Sequence, residues 1–426
     1  MLIIRAVKPE DLPAPFRPLP IRAFNAVGEV LFRSGWRPFR LDDQTVMDMA
    51  RHDTGLENFG DESFRPALRE LTESLEADGR LNLFGRYFAR RQLLELLRHR
   101  LTILDHRRRH PEVATERVEK PLFILGLPRT GTTLLYGLLA EDPANRAPLS
   151  WEVDDPCPPA ETATYETDPR IQRSEKRFEQ LRQLAPGVQA VHPVGALMPQ
   201  ECIVITALEF MSVRFEMCFD VERYQRWMVD QDMTATYRTH RMFLQHMQSR
   251  HAGQRWVLKS PGHLGPIDAL FDEYPDALVV QTHRDPLRVV PSVCSLEFHL
   301  RQIASDEVDP IRLGQQQLFV WSTLLEQGRQ ARIRHPERES RILDLHMHEI
   351  VGDPVRCIRR IYDHFDLELR PEVEARMHAY VAAHPKDEHG VHRYGPGAFG
   401  LDSEAIAHAF KGYCEQFGIR PEPFAA

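Results

Sequence analysis

The sequence predicts an α/β protein: a P-loop-like three-layer α/β/α sandwich with a central parallel sheet, a helical N-terminal extension and a helical insertion. Three observations predict it. From Pro121 onward, four short apolar runs (Pro121–Leu125, Arg255–Leu258, Ala277–Thr282 and Arg341–Leu345) alternate with stretches of helical periodicity, the pattern of βαβ units and a parallel sheet. The first run leads into Gly126–Leu135, GLPRTGTTLL, a glycine-bracketed turn that opens a helix carrying Leu134, Leu135, Leu138 and Leu139. The residues up to about 118 show helical spacing instead, rich in Arg and Leu.

In the N-terminal extension, residues 1–118, Phe64–Glu76 spaces Leu68, Leu71 and Leu75 along one helical face. Leu93–Leu104 repeats the pattern with basic residues opposite, and Asp53–Asp61, ahead of both, is a glycine-bearing loop. No motif there carries chemistry, so the extension reads as a helical cap on a domain of residues 119–426. Within that domain, residues 153–254 form a long insertion between the first two strands. It begins with the proline-rich loop DDPCPPAE, and Gln200–Cys218 and Thr234–Gln248 read as helices. Its aromatics and methionines, among them Phe210, Met211, Phe215, Phe219, Tyr224 and Trp227, are core by default. They also suit the lining of an apolar acceptor pocket. Residues 312–333, 354–366 and 402–417 are further helices, and no internal repeat is present.

The turn after the first strand aims backbone N–H groups and a helix N-terminus at an anion such as a phosphate. Gly126 and Gly131 have the Walker spacing, yet Thr132 stands where a nucleotide triphosphatase carries its lysine, and Arg129 supplies a cation inside the loop. The second strand ends in Lys259, followed by Ser260, Pro261, Gly262 and His263. Ligands collect at the carboxyl ends of parallel strands, so the lysine is placed for an anion. The third strand ends at Arg284, with a helix starting past Pro286 and Ser292 two turns along. An arginine and a serine hydroxyl so spaced suit one phosphate. Taken singly, these are a surface lysine at a strand end, a helix-capping arginine and a buried serine. The triplet His283–Asp285 is not a kinase catalytic loop, because Val290 occupies the asparagine position and no glycine-rich strand loop precedes it.

A net charge of -8 and a pI near 6.2 argue against general nucleic-acid binding. No apolar run reaches the roughly 18–20 residues of a membrane span, and the N-terminus lacks signal-peptide character. Six scattered cysteines without a C-x-x-C pair read as reduced thiols in a cytoplasmic protein. HMHE at 346–349 reads as a strand end and helix start rather than a metal site, so no metal is expected.

In this order, GLPRTGTTLL, LKSPGHL and THRDP with its following serine resemble the sulfotransferases that use 3′-phosphoadenosine 5′-phosphosulfate (PAPS). The likeness is greatest to a bacterial branch that also resembles tyrosylprotein sulfotransferases, and GLENFGDESF in the N-terminal region looks like that branch too. The resemblance implies that the turn is the 5′-phosphosulfate loop. Arg129 would replace the usual lysine, a substitution also seen in the tyrosylprotein branch, and Thr130, Gly131, Thr132 and Thr133 would bind the 5′-phosphate. Arg284 and Ser292 match the residues that hold the 3′-phosphate, Lys259 the lysine at the transferring sulfonate. Arg393, in HRYGPGAFGL, falls where the family closes a basic loop over the 3′-phosphate. Two residues compete as general base: Glu152, near the glutamate of the tyrosylprotein branch, and His263, near the histidine of the cytosolic small-molecule branch. The implied function is transfer of a sulfonate from PAPS to a small-molecule hydroxyl acceptor, an apolar one by the insertion's composition. The rivals are a P-loop kinase or NTPase, opposed by the missing loop lysine, and a non-catalytic nucleotide-binding protein.

Overall fold

The computed structural model describes residues 8–184, 195–384 and 395–422. Five strands form one parallel sheet: β1 (Leu122–Gly126), β2 (Asn145–Arg146), β3 (Arg255–Lys259), β4 (Leu278–His283) and β5 (Ile342–His346). Their order is β2-β3-β1-β4-β5. Leu122 lies in register with Val257 on one side and Leu278 on the other. The four expected strands are found, each ending one residue later than expected. The fifth, β2, is two residues long, too short to show a period of two.

Both faces of the sheet are buried, which is why its strands are near-continuous apolar runs. Alternate residues go to opposite layers. Leu122, Ile124, Val257 and Val280 pack with Leu135, Leu138 and Leu139 of the helix after β1 and with Ile358 and Ile361 of Pro354–His364. Phe123, Leu125, Leu258 and Val279 pack into the larger core with the N-terminal helices, the insertion and the helices Pro286–Arg301 and Pro310–Arg334. This is the expected three-layer sandwich.

The N-terminal helices are α1 (Leu19–Arg33), α2 (Asp43–Thr54), α3 (Arg65–Ala77) and α4 (Leu83–Arg109). Buried Arg100 of α4 fastens them to the insertion, donating to Glu209 Oε1 at 2.5 Å and to the Phe59 carbonyl at 2.6 Å. Thr234–Gln248 is helical as read, but Gln200–Cys218 is not one helix. It breaks into Ile203–Thr206, a 3-10 turn and Arg214–Cys218. The break is at Phe210, whose φ of +54° ends the turn and whose ring packs near those of Phe64 and Phe215. Tertiary burial of the aromatic overrides its helical neighbourhood. Residues 402–417 likewise divide into Ser403–Ala409 and Lys411–Gln416. Among the described residues, no helix is long and apolar enough to cross a membrane.

The chain leaves β1 toward β2 and leaves β4 toward β5, so connections diverge between β1 and β4. A crevice at the carboxyl edge of the sheet opens at such a reversal.

Candidate active site

The turn after β1 is built by two glycines and a threonine. Gly126 has a φ of +153°, and a Cβ there would lie 2.1 Å from Thr282 Oγ1 and 2.7 Å from the Thr282 carbonyl oxygen. Only glycine lets β1 turn so close to β4. Thr130 is fully buried, its hydroxyl 2.6 Å from both the Leu127 carbonyl and Thr282 Oγ1. It therefore locks the loop to itself and to β4. Gly131, at a φ of +86°, precedes the helix α5 (Thr132–Ala140). Thr132 is buried and Thr133 exposed at the start of α5, where free N–H groups and the helix dipole favour an anion. Arg129, at the exposed tip, holds a left-handed φ of +66°. Such a conformation costs a non-glycine residue about 1 kcal/mol or more.

Cations reach the loop from the strands on either side of β1. Lys259, at the end of β3, is buried; its Nζ donates to Glu201 Oε1 at 2.5 Å and lies 3.3 Å from Thr133 Oγ1. Arg284, just after β4, donates from Nη1 to the Arg129 carbonyl at 3.0 Å. Its other nitrogens hold Glu422, with Nε 3.1 Å and Nη2 3.0 Å from Glu422 Oε2. Asp285 fixes that tail residue by accepting from the Glu422 N–H at 2.7 Å. Ser292 is buried in Pro286–Arg301, the helix that Arg284 leads into.

Glu201 was not singled out from the sequence. One acid ahead of an apolar stretch has no local signature, and three long-range bonds place it. The Gln200 N–H donates to the Pro148 carbonyl at 2.8 Å, the Gln200 carbonyl accepts from the Tyr136 hydroxyl at 2.9 Å, and the Cys202 N–H donates to the Lys259 carbonyl at 2.9 Å.

The two residues expected to compete as general base are both set in the interior. Glu152, 3% exposed, accepts from Arg146 Nη2 at 2.6 Å on Oε1. Its Oε2 accepts from the Tyr165 hydroxyl at 2.8 Å and the Leu149 N–H at 3.2 Å. The carboxylate thus caps the helix α6 (Ser150–Asp154) and neutralises a buried arginine that stacks over Trp256. His263, 1% exposed, lies 2.7 Å from the Tyr237 hydroxyl through Nδ1, and burial holds its pKa well below the usual histidine value. Its ring belongs to a buried group with His240 and Cys202. Arg393 lies outside the described residues. His346 ends β5 and its N–H donates to Glu349 Oε2 at 2.9 Å, the strand end and helix start expected of HMHE. All six cysteines are free.

A cavity of about 650 Å³ begins at Ser260 and Gly262, directly after Lys259. Ile203, Met211, Val213, Met228 and Leu324 give it an apolar wall, and Asp230 and Asp232 stand at its rim. Of the residues read from the insertion, Met211 lines this cavity, whereas Phe210, Phe215, Phe219 and Tyr224 are buried core.

Comparison with known proteins gives one consistent result. The model of the sulfotransferase family matches residues 121–371, which is more than half of the chain. Omega-hydroxy-beta-dihydromenaquinone-9 sulfotransferase Stf3 of Mycobacterium tuberculosis is 26% identical over 278 residues, covering 62% of this chain and 68% of the relative. The crystal structure of sulfotransferase STF9 from Mycobacterium avium is 31% identical, with a TM-score of 0.83, covering 90% of this chain and 98% of that one. Sulfotransferase STF1 from Mycobacterium tuberculosis is also 31% identical, with a TM-score of 0.79, over 88% of this chain and all of that one.

Proposed function

This chain belongs to the sulfotransferase family, and we propose that it moves the sulfonate of PAPS to the hydroxyl of a small apolar acceptor. The observation that carries the reading is a glycine-bracketed loop approached from one side by Lys259 and from the other by Arg284. A donor with two phosphate centres and a sulfonate calls for such a pair. The α5 N-terminus with Thr132 and Thr133 would take the 5′-phosphate, and Thr130 and Gly131 would shape the loop around it. Arg284 and Ser292 would take the 3′-phosphate, the arginine exchanging Glu422 for a more highly charged oxyanion.

In the transfer, the acceptor oxygen forms a bond to sulfur as the bond from sulfur to the bridging phosphate oxygen breaks, and adenosine 3′,5′-bisphosphate leaves. Lys259 and Arg129 would stabilise the charge that develops on that oxygen. Glu201 would receive the acceptor's proton. Its carboxylate touches Lys259, and the chain reaches Ile203 of the cavity wall two residues later, so base and cation would meet where acceptor and donor meet. With two cations at the leaving oxygen, this reading needs no metal in the transfer step. Helices of the insertion would form the acceptor site, and the methionine and valine wall suits an apolar chain ending in an alcohol. A relative named for omega-hydroxy-beta-dihydromenaquinone-9 supports that class.

Calorimetric titration tests the donor site. Adenosine 3′,5′-bisphosphate should bind in preference to ATP, and Arg284→Ala should weaken it by about 10-fold or more, as loss of a charged hydrogen-bonding partner does. Glu422→Gln should tighten it severalfold, because a competing carboxylate is removed. Equal or tighter ATP binding, or no effect of Arg284→Ala, would return the reading to a P-loop kinase.

A further inference from the structure

Behind the segment that carries Glu201, three side chains with metal-ligating atoms converge. Cys202, His240 and His263 each bring one such atom to within 4.8 Å of the others, and all three residues are buried. They come from separate elements: the start of Ile203–Thr206, the helix Thr234–Gln248 and the 3-10 turn Pro261–His263. No spacing in the sequence announces them.

The rings are oriented as ligands are. His240 Nδ1 lies 2.8 Å from the Tyr274 hydroxyl and His263 Nδ1 2.7 Å from the Tyr237 hydroxyl. Each hydroxyl fixes its ring from the Nδ1 side, as the outer partner of a ligating histidine does. The Nε2 atoms of both rings are buried without a hydrogen-bond partner among the described residues. An unsatisfied buried acceptor costs about 1–3 kcal/mol, and here two such nitrogens belong to histidines grouped with a buried thiol. Burial keeps both imidazoles neutral, with His240 pushed down to about 3, which is the form that binds a metal. Phe123 lies edge-on to His263 with ring centres 5.1 Å apart.

We propose that Cys202, His240 and His263 bind one zinc ion, which clamps the Glu201 segment, the insertion helix and the turn after β3 together. Two imidazoles and a thiolate are a set that zinc accepts, leaving a fourth position for water. Bonds of about 2.0–2.3 Å would draw the three atoms to roughly 3.5 Å apart, a closure of about 1 Å. Binding replaces the Cys202 thiol proton, which leaves to solvent, with a zinc–sulfur bond. His263 and Tyr237 also line the cavity, which gives the ion an approach. The ion is a structural clamp, separate from the sulfonate transfer, so the site stands even if the proposed function falls.

Tag-free, chelator-treated protein titrated with Co²⁺ tests this. One equivalent should bind and give a thiolate-to-cobalt charge-transfer band with the intense visible bands of tetrahedral cobalt, and Zn²⁺ should abolish both. Cys202→Ser should lose the charge-transfer band, His240→Gln should bind at least 10-fold more weakly, and Zn²⁺ should raise the melting temperature of the wild type alone. Absence of stoichiometric uptake by the wild type overturns the proposal whether or not the variants fold. So does a charge-transfer band that survives in Cys202→Ser.

Discussion

At the residue scale, two glutamates separated by 49 positions sit in different surroundings, and of the two only Glu152 stood in the sequence as a candidate base, beside His263. Glu152 has a partner for each oxygen, and the arginine it neutralises is 5% exposed. Removing one partner of a buried pair costs about 3–5 kcal/mol, because the remaining charge stays desolvated. Glu152→Gln should therefore lower the denaturant midpoint strongly, while the folded fraction keeps its turnover. Glu201 instead holds Lys259, which directly precedes the cavity-lining Ser260. Glu201→Gln should cut kcat of the folded protein by about 10²–10⁴ with little change in adenosine 3′,5′-bisphosphate affinity, alongside a loss of stability from leaving buried Lys259 without its carboxylate. Steady-state kinetics beside calorimetry and denaturation separate the two. The opposite pattern, a stable Glu152→Gln protein without turnover and a fully active Glu201→Gln protein, would hand the base back to Glu152. The loop residues were legible in the sequence because their chemistry is local: two glycines, three threonines and an arginine within eight positions. Glu201 was not, because its place depends on bonds to residues 136, 148 and 259.

At the element scale, the strands could be read because both of their faces are apolar, which makes each a compact run with turn residues after it. The broken helix at 203–218 could not. Its composition is helical, and the left-handed turn at Phe210 exists only because Phe64 and Phe215 bury that ring. The same reasoning locates the most sensitive position of the glycine-bracketed loop. A methyl group at Gly126 has no room, since Thr282 is part of the adjacent strand and its hydroxyl already serves Thr130. Gly126→Ala should push β1 from β4, lower the melting temperature by several degrees and abolish calorimetrically detectable adenosine 3′,5′-bisphosphate binding. Gly352→Ala, where an added Cβ meets open space, is the control and should leave binding intact.

At the scale of the whole molecule, one buried charge network joins the insertion to the helix that follows Arg284. Glu216, in Arg214–Cys218, and Glu297, in Pro286–Arg301, are both buried, and both lie within the influence of Arg301. Arg301 donates to the Glu216 carbonyl at 2.9 Å and to Gln316 Oε1 at 2.6 Å, with Glu297 Oε2 at 3.4 Å and Asp220 Oδ1 at 3.8 Å. Asp220 also has Arg312 Nε at 3.3 Å, but Arg301 alone does not balance both Glu216 and Glu297, so burial favours a protonated acid. Glu216 is pushed from 4.5 up to about 7, and Glu297 is raised as well. An acid whose folded pKa exceeds its unfolded value stabilises the fold in its protonated form. That contribution is complete below the unfolded value near 4.5 and is lost as pH rises through about 7. The wild type should therefore be more stable at pH 6 than at pH 8, whereas Glu216→Gln, neutral at both, should lose much of that slope. At one pKa unit per 1.36 kcal/mol, the gain of Glu216→Gln at pH 8 should be about 1–3 kcal/mol. Urea midpoints of both proteins at the two pH values decide it. Parallel wild-type and variant profiles would mean that Glu216 stays ionised in the fold, with Arg301 as its counter-charge and the shared proton on Glu297.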